Sequence, residues 1–288
     1  MTAQSVSVVV PSGLCWNNCK FCVSRMRCEA EADNSAEAFE NCVERLRYAK
    51  EQGCGCLILT GTAEPQQNLP WIGNLLSENN KSIGFTNIEL QTTGSGLEEE
   101  QLVWLKKKGL KTVSVSLSAP TSERNWNIIG ATQKNQIPVE ELCRMVVDAG
   151  LMLRMSINLT DEWEKQFEDP ELIFSSAKRM RAKQIIFRVL YADGGTNQAE
   201  WVRKHSASKA YRDAIKDYVI GCGNPMRRLP YGKMVYSVDG LSVVIDDDCM
   251  AKDNVEGIRY YVIKADGRLY TRWDDSGSIV FQAFSSVG

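Results

Sequence analysis

The chain has 288 residues, with 34 Lys and Arg against 36 Asp and Glu and 43% hydrophobic residues, the make-up of a soluble globular protein with a sizeable core. A formal net charge of −2 supplies no field to hold a phosphate backbone, which argues against bulk nucleic-acid binding. The single histidine, His205, excludes multi-His metal sites, and no basic region followed by a long apolar run opens the chain, so a cytoplasmic protein without a membrane partner is expected.

Ser5 to Val10 reads as a buried β-branched strand, followed by a helix capped at Asn34 or Ser35 and running to Gln52 before Gly53. The same strand and helix alternation recurs. Cys56–Thr60 precedes a helix over 69–78, Asn87–Gln91 precedes one over 97–108, and Thr112–Leu117 precedes one over 138–149. A fifth strand over 151–159 leads to a helix behind Pro170, and a sixth strand spans 184–190. Short apolar strands alternating with helices require parallel pairing through right-handed crossovers. The expected fold is α/β, a partial (β/α)6 barrel over residues 1–220. A polar helix over 207–219 closes it, and short strands with Asp-Gly turns then suggest a β-rich C-terminal module over 221–288, placed to cover the barrel mouth.

Ten cysteines in a reducing compartment point to metal ligands or core residues rather than disulfides. Cys15, Cys19 and Cys22 form a Cys-x3-Cys-x2-Cys run directly after the first strand, at the strand end where parallel α/β proteins build their active sites. Three thiolates within eight residues carry a charge that a metal or cluster must neutralise, and a [4Fe-4S] cube held by only three leaves one iron open to an outside ligand. Read from the residues alone, a structural zinc or an electron-transfer cluster with a fourth ligand elsewhere stays open.

This run, with Phe21 before its last cysteine, resembles the hallmark of the radical S-adenosylmethionine (SAM) superfamily. The resemblance implies a [4Fe-4S] cluster on Cys15, Cys19 and Cys22 whose free iron chelates SAM. It also implies an enzyme that cleaves SAM reductively to a 5'-deoxyadenosyl radical and abstracts a substrate hydrogen, with a flavodoxin or ferredoxin as electron donor. Gly61-Thr62-Ala63-Glu64-Pro65 resembles the family's Gly-Gly-Glu-Pro motif, although Thr62 and Ala63 stand where glycines are usual. Thr93 replaces the Asn of a Thr-Asn-Gly signature, and the Asn127 to Gly130 stretch lacks the Arg often found there.

Ser114, Ser116 and Ser118 share one face of the fourth strand, as Arg154, Ser156 and Asn158 do on the fifth, and Arg188 sits on the sixth. If that face lines the barrel, Phe21, Gly61, Thr62, Ala63, Glu64, Thr93, Ser116, Ser118, Asn158 and Arg188 are the expected cofactor contacts. Arg154 and Arg188, with Arg227, Arg228, Arg259, Arg268 and Arg272, suggest a small anionic substrate, phosphorylated or a nucleotide. Modification of a polypeptide is the alternative, and a non-catalytic iron-sulfur protein the second. Cys222, Cys249 and Tyr270 are candidate hydrogen donors to a substrate radical, with Cys249 preferred for its place after Asp246-Asp247-Asp248. Basic residues Lys20, Arg25 and Arg27 around the cysteine run suggest where the electron donor docks.

Overall fold

The computed structural model describes residues 3–27, 32–229, 232–247, 258–273, 275 and 277–281. The first strand, β1 (Ser5–Val9), leads through the cysteine loop and a single turn, α1 (Val23–Met26), to α2 (Ala36–Glu51). Ser35 starts α2 by accepting from the Ala38 backbone N–H at 3.1 Å, and Gly53, at φ 90°, ends it in the left-handed conformation that glycine adopts without a Cβ penalty. Then come β2 (Cys56–Thr60), α3 (Leu69–Glu78), β3 (Asn87–Thr92), α4 (Glu99–Lys107) and β4 (Thr112–Leu117). Between β4 and the expected α6 (Val139–Asp148) lies a helix that the sequence pattern does not reveal, α5 (Ser122–Ile129), too short and polar to show an apolar stripe.

The next elements are β5 (Met152–Asn158), α7 (Asp161–Gln166), α8 (Glu171–Arg179) and β6 (Gln184–Arg188). After β6 two helices follow where one was expected, α9 (Asn197–His205) and α10 (Lys209–Cys222). Their starts are fixed by Thr196 and Ser208, whose side chains accept from backbone N–H groups three residues on. The remaining strands are β7 (Asn224–Arg228), β8 (Met234–Val238), β9 (Leu241–Asp246), β10 (Tyr260–Ile263), β11 (Leu269–Tyr270) and β12 (Ile279–Phe281). Among the described residues no helix is long and apolar enough to cross a membrane.

The twelve strands among the described residues belong to one sheet, in the order β12-β11-β10-β1-β2-β3-β4-β5-β6-β9-β8-β7. The described C-terminal strands therefore build no sheet of their own. β9 pairs parallel with β6, and β10 pairs parallel with β1, so the chain's last quarter extends both edges of the barrel sheet and gives a run of eight parallel strands. The apolar alternation that suggested a separate module is instead the pattern of strands joining an existing sheet. Backbone groups at each barrel edge would otherwise lack partners, and these strands satisfy them.

Period two divides each strand between two environments. Leu57, Leu90, Val113, Leu153 and Ile185 face outward, fully buried under helix residues such as Leu46, Leu75, Leu105 and Val146. The opposite phase carries Ser7, Glu89, Ser114, Ser116, Arg154, Ser156 and Arg188 beside Ile58, Met152 and Ile186, so the main hydrophobic core lies outside the sheet and the barrel interior holds most of the charged groups of the strands. Asp246, at the end of β9, accepts from Arg259 at 2.9 Å just before β10 and stands 3.8 Å from Arg188 of β6, linking the two extended edges. Asp246→Ala takes the charged partner shared by Arg188 and Arg259, and the expected outcome is a loss of roughly 3 kcal/mol, read as a lowered urea midpoint with an unchanged slope.

Candidate active site

The cysteine loop begins where β1 ends and is held on three sides by the segments around it. The Gln67 side chain accepts from the Trp16 backbone N–H at 3.3 Å and donates to the Leu14 carbonyl at 3.0 Å. On the far side the Asn18 and Lys20 backbone N–H groups donate to the carbonyls of Ile129 and Ile128 at 3.1 and 2.9 Å, the last turn of α5. Gly130 makes this approach possible. It has φ 60°, and a Cβ there would lie 2.7 Å from the Asn18 carbonyl oxygen.

The third anchor is Glu64, 5% exposed. One of its oxygens accepts from Asn17 Nδ2 at 3.0 Å and Thr93 Oγ at 2.7 Å; the other accepts from Gln66 Nε2 at 3.1 Å, Thr92 Oγ at 2.6 Å and the Thr93 backbone N–H at 3.1 Å. Asn17 Nδ2 also lies 3.0 Å from Thr93 Oγ. The expected cofactor residues Glu64 and Thr93 are thus joined to the cysteine loop itself. Asn17, Gln67 and Gly130 were not anticipated, since single polar residues and a glycine carry no local signal of contacts made across more than 40 positions.

Cys15, Cys19 and Cys22 are free thiols, each partly exposed, on this pinned loop. Burial pushes the Cys15 thiol up, with the nearby Glu64 and Cys22 adding to the rise while a hydrogen bond from the Asn17 backbone opposes it. Cys19 is driven well up by burial, then by Glu64, Cys22 and Cys15, with Arg25 opposing. The three thiols therefore share one electrostatic neighbourhood in which accumulated thiolate charge is unfavourable, and a bound cationic centre removes that penalty. Among the described residues no three His, Cys, Asp or Glu side chains are gathered around a point for one metal ion. Three soft thiolate donors spaced along a loop fit a cluster with one iron left open.

Behind the loop a cavity of about 720 Å³ runs the height of the barrel. Of the expected cofactor contacts, Phe21, Gly61, Ser116, Asn158 and Arg188 line it. Thr62, Ala63, Glu64, Thr93 and Ser118 are not among its lining residues. Ser118 is fully buried, accepting from Asn158 Nδ2 at 3.1 Å while its carbonyl accepts from Thr160 Oγ at 2.6 Å, because β4 ends at Leu117 and the alternation stops there.

The candidate hydrogen donors fare differently. Cys222 is exposed at the end of α10, and Tyr270 is buried against Val9, Val262 and Ala265; neither lines the cavity. Cys249 lies outside the described residues. Among the described residues one thiol does line the cavity, Cys56 of β2, pushed up to about 12 by burial and by Glu89.

The arginines do not form one open cluster. Arg154 pairs with Glu89, Arg188 and Arg259 share Asp246, and Arg268 lies 3.8 Å from Asp266. Arg27 reaches into the cavity wall, bonded to Tyr191 and 3.3 Å from Asp193, and so is not on the outer face that carries Lys20 and Arg25.

Residues 9–169 match the description of the Radical SAM superfamily, more than half of the chain, and the chain belongs to that superfamily. Its members use a [4Fe-4S] cluster and SAM. A curated relative, biotin synthase of Sulfurovum sp. (strain NBC37-1), is 28% identical over 145 residues, 49% of this chain and 49% of that protein, so the match spans about half the length of the relative. Among solved structures, Streptococcus suis SuiB bound to S-adenosylmethionine superposes with a TM-score of 0.65 at 15% identity, covering 98% of this chain and 62% of that one. The structure of anSMEcpe with bound AdoMet and the Kp18Cys peptide gives 0.64 at 12% identity, over 97% of this chain and 77% of that one. These likenesses establish the fold, a partial barrel with added strands.

Two substitutions test the anchors. Gly130→Ala should leave the far-ultraviolet circular dichroism intact and lower the iron bound per chain several-fold, since the Asn18 carbonyl must move aside. Glu64→Gln sets an amide donor among five donor groups, and a loss of roughly 2 to 3 kcal/mol in thermal or urea unfolding is expected.

Proposed function

We propose that this chain cleaves SAM reductively at a cluster on Cys15, Cys19 and Cys22 and abstracts a hydrogen atom from a small polar substrate held inside the barrel. The observation that carries this reading is the cavity itself: it opens beside the cysteine loop, continues down the barrel, and is lined by side chains whose polarity is costly without a ligand to meet it. Held by Cys15, Cys19 and Cys22, a cluster would supply the electron for reductive cleavage of SAM. The chain's own part is to hold and orient. Glu64 fixes Asn17 and with it the cysteine loop, Gly61 permits close approach of backbone to the methionyl end, and Ser116, Asn158 and Arg188 offer hydrogen-bonding groups along the wall.

The paired state of Arg154, Arg188 and Arg259 favours a substrate with few charges over a polyphosphate. A flavodoxin or ferredoxin is the proposed reductant, approaching the exposed face of Lys20 and Arg25, and cytoplasmic residence is proposed with it. A second reading, action on a polypeptide, is favoured by the fold likeness to SuiB and anSMEcpe, which were solved with the precursor peptide SuiA and with the Kp18Cys peptide respectively.

Reconstitution without oxygen should load about four irons and four sulfides per chain, and the reduced protein should form 5'-deoxyadenosine faster with the small-molecule fraction of a source-organism extract. Cys15→Ala should abolish both. Stimulation by the polypeptide fraction alone would select the second reading, and a loaded, reduced sample that never yields 5'-deoxyadenosine would leave only an iron-sulfur protein.

A further inference from the structure

Below the residues offered to the cofactor, the barrel carries a second set of polar groups, which points to a particular substrate chemistry. Ser114 is 1% exposed and lines the cavity, and its Oγ has no hydrogen-bond partner. Directly opposite it in the β4 and β5 register stands Arg154, which also lines the cavity, so the two side chains are same-face neighbours. Arg154 is fixed from two sides. Its Nε donates to Gln184 Oε1 at 2.6 Å and its Nη1 to Glu89, whose other oxygen accepts from Gln91 Nε2 at 3.0 Å. Among the described residues no hydrogen bond falls on its Nη2. A buried hydroxyl without a partner and a rigidly oriented guanidinium with one unused nitrogen thus stand side by side.

We propose that Ser114 and Arg154 bind a carboxylate of the substrate, an assignment that rests on the barrel interior being the substrate site. The charge of the wall supports an anion. Among the described residues Arg27, Arg154, Arg188, Arg227 and Arg259 line the cavity with two acids, Glu89 and Asp246, and Asp193 pairs with Arg27 beside it, which leaves an excess of positive charge. SAM does not relieve this excess, since its sulfonium and ammonium outnumber its one carboxylate. The Ser114 hydroxyl beside the Nη2 edge of Arg154 presents donors from two sides, which suits the two oxygens of a carboxylate. A phosphate would bring a second negative charge close to Glu89. Ser114 lies two residues below Ser116 on the same strand face, about 6 to 7 Å deeper in the barrel. A substrate anchored by its carboxylate at that depth extends upward, and the carbon that loses hydrogen is remote from the carboxylate.

The test uses the whole chain, loaded with iron and sulfide without oxygen and saturated with SAM, in equilibrium dialysis against [1-14C]hexanoate, with hexanamide and inorganic phosphate as competitors. The wild-type protein should bind hexanoate at least tenfold more tightly than either competitor. Ser114→Ala should weaken hexanoate about five- to tenfold with no fall in melting temperature, because the hydroxyl has no partner in the fold to lose. Arg154→Gln should weaken it further, and Ser114→Ala carries the test if that variant does not fold. No hexanoate binding by the wild type, equal binding of the competitors, or an unchanged affinity in Ser114→Ala would overturn the carboxylate site. The two readings separate cleanly. Ser114-dependent hexanoate binding in a protein that never forms 5'-deoxyadenosine upholds the site and overturns the enzyme, whereas 5'-deoxyadenosine formation without hexanoate binding does the reverse.

Discussion

The Glu64 carboxylate takes five hydrogen bonds from four residues, and those residues sit on three separate segments: Asn17 in the cysteine loop, Gln66 just beyond β2, and Thr92 and Thr93 at the end of β3. Charge-assisted bonds in a buried setting are about twice as strong as neutral ones, and a carboxylate left short of donors there is expensive, so the arrangement is close to all or none. Together with the Gln67 bonds and the α5 carbonyls, this carboxylate fixes a loop that has no repeating backbone pattern to hold it. It carries no regular structure between Val9 and Val23, and Leu14 within it is 97% exposed. The geometry of the three thiols therefore depends on an acid that is spent entirely on the protein itself.

That role differs from the one its sequence context suggests. Glu64 was legible as an acid at a strand end beside a small residue, and the motif it resembles directs it toward the cofactor. The cysteines were legible too, because three soft ligands in eight residues constrain their own chemistry, and the barrel strands were legible because period two and period 3.6 are local properties. What the chain does not advertise is pairing over long distances. Asn17 meets Thr93, Asn18 meets the end of α5, and Tyr260 lies opposite Ser5, none of which leaves a mark in the neighbouring residues. For the same reason the last strands read as a module apart when they are edges of the first sheet. Ser118 follows the alternation of Ser114 and Ser116 yet leaves the wall, since the strand ends one residue earlier.

The barrel reverses the usual order of polarity. Its main apolar core is packed outside, between sheet and helices, while serines, arginines and acids share the axis with Ile58, Met152, Ile186 and Val244. Such an interior stays folded because its acids are each paired, Glu89 with Arg154 and Asp246 with both Arg188 and Arg259, so that no carboxylate is left buried alone. The compensation also shapes recognition, since a guanidinium already fixed by two partners loses little freedom when it meets a third. Selectivity then comes from the few groups left over rather than from bulk charge.

The parallel pairing of β10 with β1 sets Ser5 against Tyr260, about as far apart along the chain as the described strands allow. During synthesis β1 emerges first, yet its outer edge has no partner until residues near 260 leave the ribosome. Closing a contact of such range is slow compared with forming the intervening strand-helix units, which can assemble as they appear. For most of translation the nascent barrel therefore exposes one strand edge beside three unligated thiols. In that interval the outer edge of β1 offers its unpaired backbone groups to any strand able to add to it.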